Sequence, residues 1–149
     1  MAVTTEHHSA MPAPTPAPTG KCILIVEDNT LNMKLFSAMI ASQGYHVLQA
    51  HDGPDGIALA HQQHPDLIIM DLQLPSMSGL DAIRSLKADG DTRDIPIIAT
   101  TAYATRGDEE KIRASGCDEY MAKPIAVSEF LALIESFVPR SPGASRFVA

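Results

Sequence analysis

Short, unbroken apolar runs alternate along this chain with longer stretches whose apolar residues recur every three or four positions. Ile23-Leu24-Ile25-Val26, Leu67-Ile68-Ile69-Met70 and Ile97-Ile98-Ala99 are the clearest runs. Runs of this kind, bounded by turn and helix signals, predict buried strands. The pattern predicts strands over residues 22–26, 45–49, 67–70, 95–100 and 120–122. Helices are predicted from Asn29 or Thr30 to 43, then over 53–61, 79–88, 105–114 and 126–137. Leu31, Leu35, Met39 and Ile40 stand near helical spacing in the first helix, and Phe130, Leu131, Leu133 and Ile134 form a stripe on the last. Gly44 and Gly116 suit helix ends.

Strand followed by helix, repeated without a long break, predicts an α/β fold: an open, doubly wound parallel sheet with helices on both faces. Right-handed crossovers leave few topologies, and the flavodoxin-like (βα)5 order 2-1-3-4-5 is the natural one. Ligands bind such sheets at the carboxyl ends of the strands. Glu27 and Asp28 end the first run and Asp71 ends the third, so three acids are expected at one edge. Like charges that close are costly unless a cation binds or a pKa rises. An all-oxygen set suits Mg²⁺ or Mn²⁺, and the lack of a neighbouring His or Cys disfavours zinc. Asp28 taken singly also reads as a helix-start acid, which leaves Asp71 unexplained. Thr101 and Lys123 end the fourth and fifth strands. Beside an acidic, metal-bearing crevice, a hydroxyl and an ammonium can hold a phosphoryl group. Singly, Thr101 reads as a turn residue and Lys123 as a solvated charge. Lys123-Pro124 is a candidate cis bond.

Composition narrows the field. The chain has 149 residues, 45% hydrophobic and 19% charged, with a net charge of −7. That balance argues against a broad nucleic-acid or anionic-membrane surface. No stretch reaches the ~18–20 apolar residues of a membrane span. Cys22 and Cys117 form no CxxC pair, which fits a reduced, cytoplasmic setting. Residues 1–20, rich in Pro, Ala and Thr, read as a disordered tail or semi-stiff spacer, and 140–149 as a flexible tail. His7-His8 reads as two solvated histidines.

Val26-Glu27-Asp28-Asn29, Met70-Asp71-Leu72-Gln73-Leu74-Pro75, Gly79, Thr101-Ala102 and Lys123-Pro124 together resemble the receiver domain of two-component response regulators, over residues 21 to about 139. Residues 26–34 and 107–113 further resemble single-domain cell-cycle regulators of that family. The resemblance implies roles. Asp71 is the expected phosphoacceptor. Asp28 and Asp71 are expected to bind Mg²⁺ directly, Glu27 through water, and Gln73 through its backbone carbonyl. Thr101 and Lys123 are expected to take phosphoryl oxygens, and Tyr120 matches the aromatic position that turns inward with Thr101 on activation. The implied partners are sensor histidine kinases, a histidine phosphotransfer protein, or both. A kinase partner would recruit the protein, a monomer or weak dimer, to a cell pole. The few residues after the last helix lead us to expect output by protein contact or onward phosphate transfer, not by a DNA-binding domain. The protein is then no enzyme in the ordinary sense, although it catalyses its own phosphorylation. Two other classes remain open on the residues: a small aspartyl-phosphate phosphohydrolase, although Gln73 stands where a second acid is usual, and a flavodoxin-like cofactor binder, whose nucleotide phosphate the acidic first loop would repel.

Overall fold

The computed structural model describes residues 20–102 and 105–140. The expectations for the two tails, His7-His8 included, fall almost wholly outside the described residues. The elements are β1 (Cys22–Val26), α1 (Thr30–Ala41), β2 (His46–Ala50), α2 (Gly53–Gln63), β3 (Leu67–Asp71), α3 (Gly79–Ala88), β4 (Ile97–Thr101), α4 (Arg106–Ala114), β5 (Glu119–Ala122) and α5 (Val127–Phe137). All strand pairs are parallel, and the order is β2-β1-β3-β4-β5, as the spacing of elements predicts.

The unbroken apolar runs follow from this architecture. Side chains of a strand alternate between sheet faces, so a strand covered on both faces must be apolar at every position. Leu24, Val26, Ile68, Met70, Ile97 and Ala99 pack with Ala60, Ala82, Ile83, Leu86 and Ile112 of α2, α3 and α4. Ile23, Ile25, Leu67, Ile69 and Ile98 pack with Met33, Phe36 and Ile40 of α1 and Phe130 and Ile134 of α5. Phe36 and Phe130 meet with ring centroids 5.4 Å apart, tying α1 to α5. Each of the larger buried side chains contributes roughly 1.5–3 kcal/mol, so the sheet is a firm platform for whatever its edge carries.

Helix starts are chemically specified. Asn29, Asp52, Ser78 and Thr105 each accept a hydrogen bond from the backbone N–H three residues on, which satisfies donors the helix itself leaves unpaired. Most boundaries fall within two residues of the pattern, and three of the departures have a plain cause. β4 begins at Ile97, not 95, since Pro96 has no N–H for a ladder. β2 begins at His46, because Tyr45 turns inward and donates its hydroxyl to the Val138 carbonyl at 2.6 Å. β3 gains Asp71, which pairs with Thr100.

The apolar series on α1 lies on the helix but is not its buried face. Of the apolar series on α1, Ile40 is buried, but Leu31 is 64% and Leu35 51% exposed. The buried face is Met33, Phe36 and Ile40. Apolar residues surround much of this helix, so spacing gives its period but not the face that meets the sheet.

Candidate functional site

The strand order places β1 beside β3 and β3 beside β4, so the residues leaving their carboxyl ends share one edge. One carboxylate oxygen each from Glu27, Asp28 and Asp71 lies within 4.8 Å of the others, and this is the only group of three metal-capable residues at such spacing among the described residues. Glu27 and Asp71 are buried, at 1% and 2% exposure, while Asp28 faces solvent. Two carboxylates at such a separation repel by about 3–4 kcal/mol at an effective dielectric constant near 20.

The chain offers partial compensation. Lys123 Nζ donates to Glu27 Oε1 at 3.1 Å and stands 3.5 Å from Asp71 Oδ1. The backbone N–H of Gln73 donates to Asp71 Oδ1 at 3.0 Å, and that of Asn29 to Glu27 Oε2 at 3.1 Å. One ammonium against three carboxylates leaves an excess of negative charge. Burial above all, then the neighbouring Glu27, raises the Asp71 pKa from 3.8 to about 6, against the lowering effects of the Gln73 N–H and Lys123. Asp71 is thus mostly ionised at neutral pH yet carries a strained charge. Oxygen-only donors, surplus negative charge and one open side at Asp28 fit a hard divalent cation such as Mg²⁺.

Thr101 ends β4, buried, and its hydroxyl accepts a hydrogen bond from Gln73 Nε2 at 3.1 Å. Gln73 Oε1 in turn accepts from the Ala102 N–H at 3.1 Å. Lys123 follows β5, its N–H bonded to the Thr101 carbonyl at 2.7 Å, and Lys123–Pro124 is cis. Five of the residues singled out from the sequence, Glu27, Asp28, Asp71, Thr101 and Lys123, therefore converge through strand order. Gln73 joins them through its backbone N–H and its carboxamide. Tyr120 lies apart, on β5 opposite Ala99, under the Arg113 guanidinium at 5.0 Å. Its pKa is raised, chiefly by its hydrogen bond to Glu109.

Two features were not read from the sequence. From the sequence the Gln73 carboxamide shows only as the absence of a second acid. The other is an apolar cleft of about 600 Å³ between α1 and the β5–α5 loop, lined by Leu35, Phe36, Met39, Pro124, Ile125 and Val127. Lys123 lines it too, so the cleft adjoins the acidic pocket. The signal for it was present in Leu35 and Met39, had their face been known.

Comparison with known proteins places this geometry. The response regulator receiver domain family matches residues 23–135. The polar-differentiation response regulator DivK of Brucella ovis is 49% identical over 118 residues, spanning 79% of this chain and 96% of the relative. The DivK of Brucella anthropi is 48% identical over the same shares. Among solved structures, the receiver domain of the sensor histidine kinase PA1611 from Pseudomonas aeruginosa, with magnesium in its active-site cleft, has a TM-score of 0.74 and 38% identity, covering 79% of this chain and 97% of its own. The signal receiver domain of a histidine kinase from Syntrophus aciditrophicus has a TM-score of 0.76 at 27% identity, covering 82% and 95%.

Proposed function

This chain belongs to the response regulator receiver domain family, and on that premise we propose that Asp71 accepts a phosphoryl group from a phosphohistidine partner and that the protein signals by binding histidine kinases, in the manner of the DivK regulators it resembles. The phosphohydrolase and flavin-binding readings lose their ground to the family match. The observation that carries the proposal is the convergence of Glu27, Asp28, Asp71 and Lys123 at one sheet edge.

The chemistry follows from that arrangement. An ionised Asp71 oxygen attacks phosphorus, the P–N bond to the donor histidine breaks, and the imidazole nitrogen keeps the electron pair and takes up a proton. Asp28, Asp71 and the Gln73 carbonyl would hold Mg²⁺ directly and Glu27 through water, and the bound ion would supply positive charge against the phosphoryl oxygens. Mn²⁺ suits the same oxygen donors. Lys123 sits between Glu27 and Asp71 and needs only a small swing to meet a phosphoryl oxygen, while the Thr101 hydroxyl serves another. Positioning and electrostatics of this kind supply most of phosphoryl-transfer catalysis. The new phosphoryl charge draws Thr101 toward it, and Tyr120 leaves Arg113 and Glu109 for the vacated space, shifting the population toward a second surface of α4, β5 and α5.

Acetyl phosphate with Mg²⁺ is expected to add one phosphoryl group per chain, read as a mass increment. Sustained turnover of acetyl phosphate, or no incorporation, rejects the reading. Magnesium alone is expected to raise the melting temperature of the wild type. The gain is about 1.4 kcal/mol at a concentration tenfold above its Kd. Asp28→Asn should lose most of it, and an equal shift in that variant would remove Asp28 from the site.

The apolar cleft supports the partner assignment. Leu35 and Val127 are exposed in the cleft that Lys123 shares with the acidic pocket, where a helical partner presenting its phosphohistidine to Asp71 would lie. Leu35→Asp is expected to lower phosphotransfer from a cognate kinase by about tenfold, on the scale of a moderate interface contact. Phosphorylation by acetyl phosphate should be unchanged, and equal losses with both donors would refute docking there. The polar-differentiation role in the relatives' name is the role we assign here, with recruitment to a cell pole by a kinase.

A further inference from the structure

Gln73 makes two side-chain hydrogen bonds to the segment that must move. Its Nε2 donates to the Thr101 hydroxyl at 3.1 Å, and its Oε1 accepts from the Ala102 N–H at 3.1 Å. Both contacts bridge the loop after β3 to the end of β4, 28 and 29 residues apart in sequence. The same residue's backbone N–H holds Asp71 Oδ1 at 3.0 Å. One residue therefore grips the nucleophile with its main chain and the responding segment with its side chain.

From this geometry we infer that the Gln73 carboxamide is a latch on the unphosphorylated state: it holds the Thr101 hydroxyl and the Ala102 N–H, and a phosphoryl group on Asp71 must draw them away from it. Gln73 is then a positioning residue that sets how readily phosphorylation is converted into the Thr101 movement. The inference rests on the proposed phosphoacceptor role of Asp71. A carboxamide suits the task because it donates and accepts at once. Thr101 presents an acceptor to Nε2 and Ala102 a donor to Oε1, so each end of the amide meets its complement. An alanine meets neither, and an asparagine is one methylene too short to span both. When a competing contact reduces the binding-competent fraction, apparent affinity for the ligand falls by that fraction. Removing the latch should therefore tighten binding of a phosphoryl mimic, whereas removing a group that contacted the phosphoryl would weaken it. The direction of the change separates the two.

The experiment compares wild type and Gln73→Ala, with Gln73→Asn as a second variant. Neither substitution touches the backbone carbonyl or N–H. Beryllofluoride affinity is measured in the presence of Mg²⁺, and Ala102 amide hydrogen exchange in the metal-free, unmodified protein. Expected are two- to fivefold tighter beryllofluoride binding in both variants, about the value of one partly exposed hydrogen bond, and faster Ala102 exchange without beryllofluoride. Unchanged or weaker binding in Gln73→Ala, or unaltered Ala102 exchange, overturns the latch. Failure of the wild type itself to bind beryllofluoride would instead overturn the phosphoacceptor reading, so the two failures are distinct.

Discussion

Asp71→Asn is expected to accept no phosphoryl group from acetyl phosphate or a kinase, and at the same time to be more stable than the wild type. The carboxamide keeps the shape of the carboxylate and can still accept the Gln73 N–H that lies 3.0 Å from Oδ1. It is no nucleophile, so labelling is lost outright. The stability gain follows from the electrostatics. Burial and the Glu27 charge move the Asp71 pKa from 3.8 up to about 6, and a displacement of that size corresponds to at most about 3 kcal/mol. That ceiling already includes the opposing Lys123 contact, so a gain of about 1–3 kcal/mol is expected, or several degrees in melting temperature.

The pH dependence has a definite sign. An acid whose folded pKa lies above its unfolded value destabilises the fold where it is ionised, and the penalty fades as it protonates. The difference between Asp71→Asn and wild type should be largest above about pH 7 and shrink through about pH 6 toward pH 4. Thermal unfolding in metal-free buffer across that range reads it directly. A variant no more stable than wild type at neutral pH would show that the carboxylate is not strained, and residual labelling would move the acceptor elsewhere.

Gly79→Ala is expected to destabilise the fold by about 3 kcal/mol or more, at the upper end for overpacking. A Cβ at this position would stand 2.6 Å from the Leu72 Cα and closer still to the Asp71 carbonyl oxygen. Both are backbone atoms of the segment that carries Asp71, and Gly79 N–H also donates to the Leu72 carbonyl at 3.1 Å. No side chain can rotate aside to make room. Alanine gains about 1 kcal/mol in helix propensity over glycine, too little to compensate. Displacement of β3 would also move Asp71, so phosphorylation should slow as stability falls. Chemical denaturation measures the first effect, and a loss below about 1 kcal/mol would mean that the α3 start does not press on β3.

These two residues were legible to different degrees. Asp71 stood out because a charge at the end of an apolar run has nowhere to go but a strand end. Gly79 was visible only as one letter of a family motif. The pressure of α3 on the Asp71 backbone comes from the crossover between β3 and α3, which no spacing rule reports. Lys123 is similar: its place after β5 was readable, but its pairing with Glu27 joins residues 96 apart. Tyr120 was marked by the family's aromatic position, whereas its cover by Arg113 and bond to Glu109 belong to the packing of α4.

Sequence alone determined the five βα units, the double-sided burial and the edge on which the acids meet. A strand covered on both faces has to be apolar throughout, and parallel strands deliver their carboxyl ends to one side. Only the tertiary structure decided which face of α1 is left exposed and what the Gln73 carboxamide holds. A helix ringed with apolar residues has a period without a unique phase, and a long polar side chain takes its partner from whatever the fold brings within reach.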